Sequence, residues 1–384
     1  MKTLLPFAIL VGCNDGDEGD PCEAGPGTIC TYAGTGIASL GPENVPAVES
    51  GLYLPQDLTF GPDGRAFVQD WNNHRLRAID ADGNVETVAG SGFLGDGPEG
   101  DAMLAMFNHP TNIAFDSHGD LILAAWHNSR IEKIDLDANM LTFIAGTGAR
   151  GYNKTDVDAK LAILDLPSSV VVDEDDNIWF SDQANQQIRM VDNGGIIHDI
   201  GGQQRVDGYL GDGGPVSEAI FHASVGQAAD PSNRLTLDGR TMYIADTANH
   251  IVRVLDLDSL EIDRFAGTPP DCDETGTKCT ADNFGSDGDG GDSLDAMLYG
   301  PTDVAVGPDH EVYIADTGNH CVRVVTPDGV IDTFAGRCGE FGFEGDGGSP
   351  KDALLNRPYG VALDADGNVY IGDTYNHVFR KVTR

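Results

Sequence analysis

One segment recurs six times along the chain, and it constrains the fold more than any other feature. It reads VQDWNNHRLRAID at 68–80, AAWHNSRIEKID at 124–135, FSDQANQQIRMVD at 180–192, IADTANHIVRVLD at 244–256, IADTGNHCVRVVT at 314–326 and IGDTYNHVFRKVT at 371–383. The equivalent positions Asp70, Ala125, Asp182, Asp246, Asp316 and Asp373 are spaced 55, 57, 64, 70 and 57 residues apart. A unit of this length buries its apolar face only by packing on its neighbours, so the chain folds as an array or a ring rather than as separate domains.

Each unit parses into four short strands. The first follows a Pro, as in LTF after Pro55, IAF after Pro110 and VAV after Pro301; the fourth unit has a longer lead from Pro231 to LTL. Asp/Gly turns such as GPDG (61–64) and DADG (364–367) lead into the second strand, because Gly and Asn accept positive φ. The second strand ends at the recurring Asp, the third starts after Asn-His, and the fourth ends in endings such as TVAG or TFAG. Five such fourth strands serve six units, and the chain stops after the sixth third strand. The missing strand stands at the other end, where ICTYAG (29–34) has the same ending. The expected fold is therefore all-β: a six-bladed β-propeller of four-stranded antiparallel blades over residues 28–384. The N-terminal strand completes the last blade and removes the open edges of the array.

Composition agrees and narrows the partners. The chain has 62 Asp+Glu, only 14 of them Glu, against 23 Lys+Arg, and 50 Gly. Asp and Gly favour turns over helix interiors, which excludes a helical bundle. A net charge of −39 excludes nucleic acid as the main partner, since phosphate binding needs Lys and Arg.

The N-terminus reads as a targeting segment. Residues 1–12 carry an apolar run too short to span a bilayer. The tetrapeptide Leu10-Val11-Gly12-Cys13 resembles the lipobox of bacterial lipoproteins, which implies cleavage before Cys13 and acylation of its thiol. Residues 13–27 then form a lipidated acidic tether, with the membrane reached through the lipid anchor alone. The expected location is an outer membrane or cell surface, or the periplasmic face. Of seven Cys, six remain after Cys13. An even set in an exported protein suggests disulfides, and six Cys allow 15 pairings. Nearest neighbours are favoured: Cys22–Cys30, Cys272–Cys279 and Cys321–Cys338. For the last pair, Cys321 and Cys338 lie nearly opposite around a Pro327-Asp328-Gly329 hairpin.

The ADTGNH tetrad with its following V-R-V resembles the NHL repeat. The linkers FLGDGPEGDAML (93–104), YLGDGGPVSEAIF (209–221), SDGDGGDSLDAML (286–298) and FEGDGGSPKDALL (343–355) are similar to the variant found in teneurins and many bacterial surface proteins. The resemblance covers roughly 28–384. Repeat two departs from it, with Ala125 for Asp and Ser129 for His, and repeat three carries Gln187 at the His position.

The recurring residues Asp70, His74, Asp246, His250, Asp316, His320, Asp373 and His377 are expected to be structural. One copy per blade cannot converge on a substrate, whereas a carboxylate there satisfies turn N–H groups or the His ring. No catalytic residue is assigned. Arg77, Arg253, Arg323 and Arg380 are expected to form salt bridges between layers. The GDG linkers offer hard oxygen ligands, densest at Asp287, Asp289 and Asp292, and so a Ca²⁺ loop; the plainer reading is a Gly turn whose Asp caps the helical turn that follows. Oxygen side chains also converge at the tops of the first strands: Asp57, Asn112, Ser169 and Asp303, with Gly360 and, in the longer blade, Asn233. They would hold one central Ca²⁺ or line a solvated channel.

The function expected is a monomeric binding module. It would engage protein, peptide or glycan ligands through the top face of linkers and second-to-third-strand turns, with Trp71, Trp126 and Tyr375 as anchors. The alternative is a Ca²⁺-dependent hydrolase, lactonase or lyase at the channel mouth, which requires one asymmetric cluster of acid, base and metal ligands.

Overall fold

A computed structural model describes residues 25–384 except 154, 227–229 and 281. Cys13, Cys22 and the signal segment lie outside the described residues, and with them the Cys22–Cys30 pairing.

Six antiparallel sheets follow one another around a ring. Their innermost strands are Asp57–Phe60, Asn112–Phe115, Pro167–Val172, Leu235–Asp238, Asp303–Val306 and Gly360–Leu363. In each blade the second strand ends at the tetrad Asp or its replacement, and the chain reverses through a 3-10 turn in five blades and a plain hydrogen-bonded turn at 126–129 in blade two. The residue that closes this turn has positive φ: His74 (53°), Gln186 (58°), His250 (61°), His320 (60°) and His377 (59°). The His position in repeat three is therefore Gln186, not Gln187, which instead begins the third strand.

The closure is as the strand inventory required. Ile29–Ala33 pairs antiparallel with Val378–Val382, with Ile29 opposite Val382 and Thr31 opposite Arg380. The last blade is thus three strands from the C-terminus and one from the N-terminus. Tyr32, Leu58, Val68, Tyr370 and Phe379 pack in the joint between blades six and one.

The other five blades differ from expectation by a fifth, two-residue outer strand. These are Val45–Pro46, Gly100–Asp101, Val157–Asp158, Gly214–Pro215 and Gly291–Asp292, each paired to the outer strand of the blade that follows it in sequence. They arise because each linker doubles back along the blade before its short helical turn. In two of these linkers the 3-10 turn is capped by the Asp that precedes it: Asp101 accepts from Met103 N–H and Asp158 from Lys160 N–H, both at 2.9 Å; Pro46 and Pro215 stand at that place in two others and give no side-chain cap.

Two disulfides are present as expected. Cys272–Cys279 closes a loop in the longest linker, and Cys321–Cys338 ties the third strand of blade five to the segment after its outer strand. Structural disulfides persist in oxidising compartments, so this is an extracytoplasmic protein.

Candidate functional site

The recurring polar residues form a scaffold repeated in each blade. Asp70 accepts the Tyr53 N–H (2.8 Å) on one oxygen and Asn73 Nδ2 (2.8 Å) on the other, and Arg77 lies 3.7 Å away. Asp182, Asp246, Asp316 and Asp373 repeat the arrangement with Asn185, Asn249, Asn319 and Asn376. Each carboxylate thus anchors the linker entering its own blade. The histidine instead reaches the next blade: Nδ1 of His250, His320 and His377 accepts the N–H of Gly300, Arg357 and Leu54. Burial raises Asp70, Asp182, Asp246 and Asp316 to about 6 and Asp373 to about 7, and lowers the histidines, His250 to about 4.

Four of the linker aspartates have a different role from either expectation, whereas Asp292 caps a turn as the plainer one held. Asp289 accepts from Arg323 (2.5 Å) and Thr333 Oγ1 (2.8 Å), and Asp212 pairs with Arg253 (2.5 Å). Asp346 pairs with Arg380 and Asp96 with Arg130. The arginines of blades four to six are fully buried, each held between the tetrad Asp and the linker Asp. Asp96, Asp212, Asp289 and Asp346 are therefore counterions to arginine. Asp292 caps Leu294 N–H (3.0 Å) instead of turning toward Asp289. Among the described residues no group of three His, Cys, Asp or Glu is gathered as a metal site requires.

The central position is also taken by a protein cation. Counting back from Leu235 rather than forward from Pro231 puts Arg234 at the ring position, one place beyond Asn233. Leu235 pairs with Ile244 as Leu58 pairs with Val68. Asn233 instead bonds Thr247. The Arg234 guanidinium crosses the axis at 3.4 Å from Asp57 and 3.2 Å from Asp303, and donates to the carbonyls of Gln56 (3.3 Å) and Thr111 (2.7 Å). It is 1% exposed. Gly360 leaves it room: a Cβ there would collide with the Gln56 carbonyl and stand 3.5 Å from Arg234 Nη1.

A belt of hydrogen bonds runs around Arg234. Asp57 accepts the Ile113 N–H (3.0 Å), Asn112 that of Val170 (2.6 Å), Ser169 that of Leu235 (2.9 Å) and Asp303 that of Val361 (3.0 Å). Each polar residue at the top of one inner strand thus satisfies the next blade's free edge. Burial, with Asp57 adding repulsion, raises Asp303 to about 7 although Arg234 opposes it; burial raises Asp57 as well. Where a Ca²⁺ was expected, the structure has a guanidinium and a belt that consumes the oxygen donors.

The three aromatic anchors differ in accessibility. Trp126 is 1% exposed, stacked on His127 and donating to Gln183 (3.1 Å), so it is core and not an anchor. Trp71 packs against His109 and is half-buried. Tyr375 is exposed, stacked on Tyr359 and covered on one side by Arg357.

Blade two supplies what the sequence reading passed over. Its Arg position holds Glu132, and the linker Asp96 pairs instead with Arg130, whose guanidinium lies over Phe143. Tyr209 and Phe343 sit over Arg253 and Arg380, whereas Phe93 is 73% exposed. Leu94 and Leu104 of the same linker are exposed as well. The coincident losses of Asp (Ala125), His (Ser129) and Arg (Glu132) were the signal that this blade's linker is held differently.

The fold and its belt define a closed six-bladed propeller with an axis sealed at one end and a polar scaffold repeated through its blades. Family models for the NHL repeat match residues 298–325 and 355–378, and one for the teneurin NHL domain matches 27–210. The chain is an NHL-repeat β-propeller. It is 26% identical over 421 residues to Teneurin-1 of Homo sapiens, covering 89% of this chain and 14% of that protein. It therefore spans only a small part of the length of the curated teneurins. An auxiliary nutrient binding protein from Bacteroides thetaiotaomicron superposes with a TM-score of 0.63 at 17% identity, over 92% of this chain and 75% of that one. A gluconolactonase from Xanthomonas campestris superposes at 0.54 and 13% identity, over 96% and 98%.

Proposed function

We propose that this propeller is an exported binding module, anchored through a lipidated Cys13, that docks a neutral or basic protein, peptide or glycan on its linker face. The observation that carries the reading is the exposed trio Phe93, Leu94 and Leu104. These side chains are exposed on a surface rich in carboxylates, at the blade whose underlying arginine is replaced, and Leu161, Phe284 and Phe341 of other linkers are exposed as well. Large apolar groups that project from a polar surface are the usual anchors of an interface. A nutrient-binding propeller of the same fold lends analogy, and analogy of fold alone does not carry function. Tyr375 and the long linkers 201–231 and 267–300 extend the same face.

An enzymatic reading requires acid, base and metal ligands converging at the channel, and the oxygen donors there are already engaged by Arg234 and backbone N–H groups. The test is a peptide and glycan array probed with labelled mature protein, wild type beside Phe93→Asp/Leu104→Asp. Ligands bound by the wild type and lost in a variant of unchanged melting temperature support the reading. Equal binding by the variant, or no ligand for either, rejects it. Cys13→Ser should move the protein from the membrane to the soluble fraction.

A further inference from the structure

The Arg234 belt closes only one end of the axis. Below it runs a cavity of about 660 Å³, from Asp57, Asn112 and Asp303 down to the hairpins at Gly307–Pro308 and Asp364–Ala365. Above the belt, Gln56, Thr111, Ser168, Ser232, Thr302 and Tyr359 are all buried, so this end is blind. The cavity opens on the face opposite the linkers.

Its wall has a defined chemistry. Each inner strand pairs with one neighbour only, so its free edge, with backbone N–H and C=O groups, faces the axis. The acidic residues on the wall are Asp57, Asp238, Asp303 and Asp364, with His310 beside Asp238; among the described residues no Lys or Arg lines it. At the blind end one guanidinium, Arg234, is shared between two carboxyl groups, 3.4 Å from Asp57 and 3.2 Å from Asp303. A cleft lined by one sign of charge and walled by protein focuses its field and concentrates counterions. Its volume is that of a small-molecule site.

We propose that this cavity binds a small organic cation, a primary ammonium or guanidinium on a short aliphatic stem, entering from the hairpin face. The ammonium donors meet carbonyls on the free edges of the inner strands, and the carboxylates of the wall act on the cation through their field rather than as direct acceptors. The stem lies along the edges of side chains such as Leu58, Val304 and Val361. This site is separate from the linker face, so the two readings stand or fall independently.

The test is calorimetric titration of the full chain with agmatine and putrescine, with 1,4-butanediol as uncharged isostere and Ca²⁺ as inorganic arm. The buffer contains about 0.15 M salt to screen exposed charge. The expected result is saturable one-site binding of a diamine or agmatine, none of the diol, and affinity higher at pH 8 than at pH 6. Thr59→Lys places an ammonium on the channel wall and should weaken binding at least about tenfold while thermal unfolding shows a folded protein. Asp303→Asn should weaken it too. Absence of binding by both organic cations, equal binding by Thr59→Lys, equal binding of the diol, or binding of Ca²⁺ alone would overturn the proposal.

Discussion

His377 in blade six accepts the backbone N–H of Leu54 in blade one, at 3.2 Å, across 323 positions of sequence. The bond spans the joint at which the ring closes, and the same bond recurs from His250 to Gly300 and from His320 to Arg357. The motif histidine is thus a fastener between blades, and it must be neutral to accept. Burial lowers its pKa, so the folded state takes up protons less readily than the unfolded chain. This contribution is complete above the unfolded value of about 6.5 and is lost as pH falls toward the folded value. His377→Ala should cost about 1 kcal/mol at pH 7.5, the usual value of one hydrogen bond. The deficit relative to wild type should shrink toward pH 4 in denaturant titrations. A pH-independent deficit would assign it to packing alone.

The closing strand makes a larger contribution. Removing residues 28–36 strips the outer strand from blade six and takes Tyr32 and Ala33 from the joint with blade one. The expected outcome is loss of amide protection at Val378–Val382, read by hydrogen exchange, with a lowered melting temperature. Protection as in the full chain would mean that the ring closes by other contacts.

Arg234 is the third test, because the belt leaves two buried carboxylates around it. Arg234→Met removes the cation and keeps the stem volume. It should destabilise by about 3–5 kcal/mol, the cost of an uncompensated buried charge. Adding Asp57→Asn and Asp303→Asn should restore a large part of that loss, since the amides need no counterion. If the triple variant is as weak as the single one, the guanidinium acts by its carbonyl contacts to Gln56 and Thr111 rather than by charge.

The repeat made most of the fold legible. Proline before each inner strand, Gly at each hairpin and the displaced ICTYAG strand sufficed for blade number and closure. The short outer strands were not legible, because two residues such as Gly100-Asp101 carry no alternation. Arg234 was missed for a related reason. Blade four has one extra residue after Pro231, and Asn233 absorbs it at a φ of 58°. Register counted from the proline therefore slipped by one, whereas register counted from the apolar residue Leu235 would have kept it. The GDG aspartates look like ligands in sequence because their arginine partners lie 34–41 positions away, as with Asp289 and Arg323 or Asp212 and Arg253. Only the fold brings them together.

Glu132 gives the last prediction. It stands at the position of Arg77, Arg189, Arg253, Arg323 and Arg380, is buried, and has one oxygen without a hydrogen-bond partner. Burial raises it to about 8, Arg130 opposing and Asp96 adding to the rise. The folded state therefore holds a proton that the unfolded chain releases near its ordinary value of about 4.3. Any stability tied to that proton is fully present below the unfolded value and is lost as pH rises through 8. The slope reaches about 1.4 kcal/mol per pH unit within the window. Glu132→Gln keeps the shape of the protonated acid and cannot ionise. It should match the wild type near pH 4 and exceed it by a widening margin up to pH 8, read as denaturant midpoints across that range. A constant offset between the two proteins would mean that Glu132 is ionised in the fold, paired with Arg130.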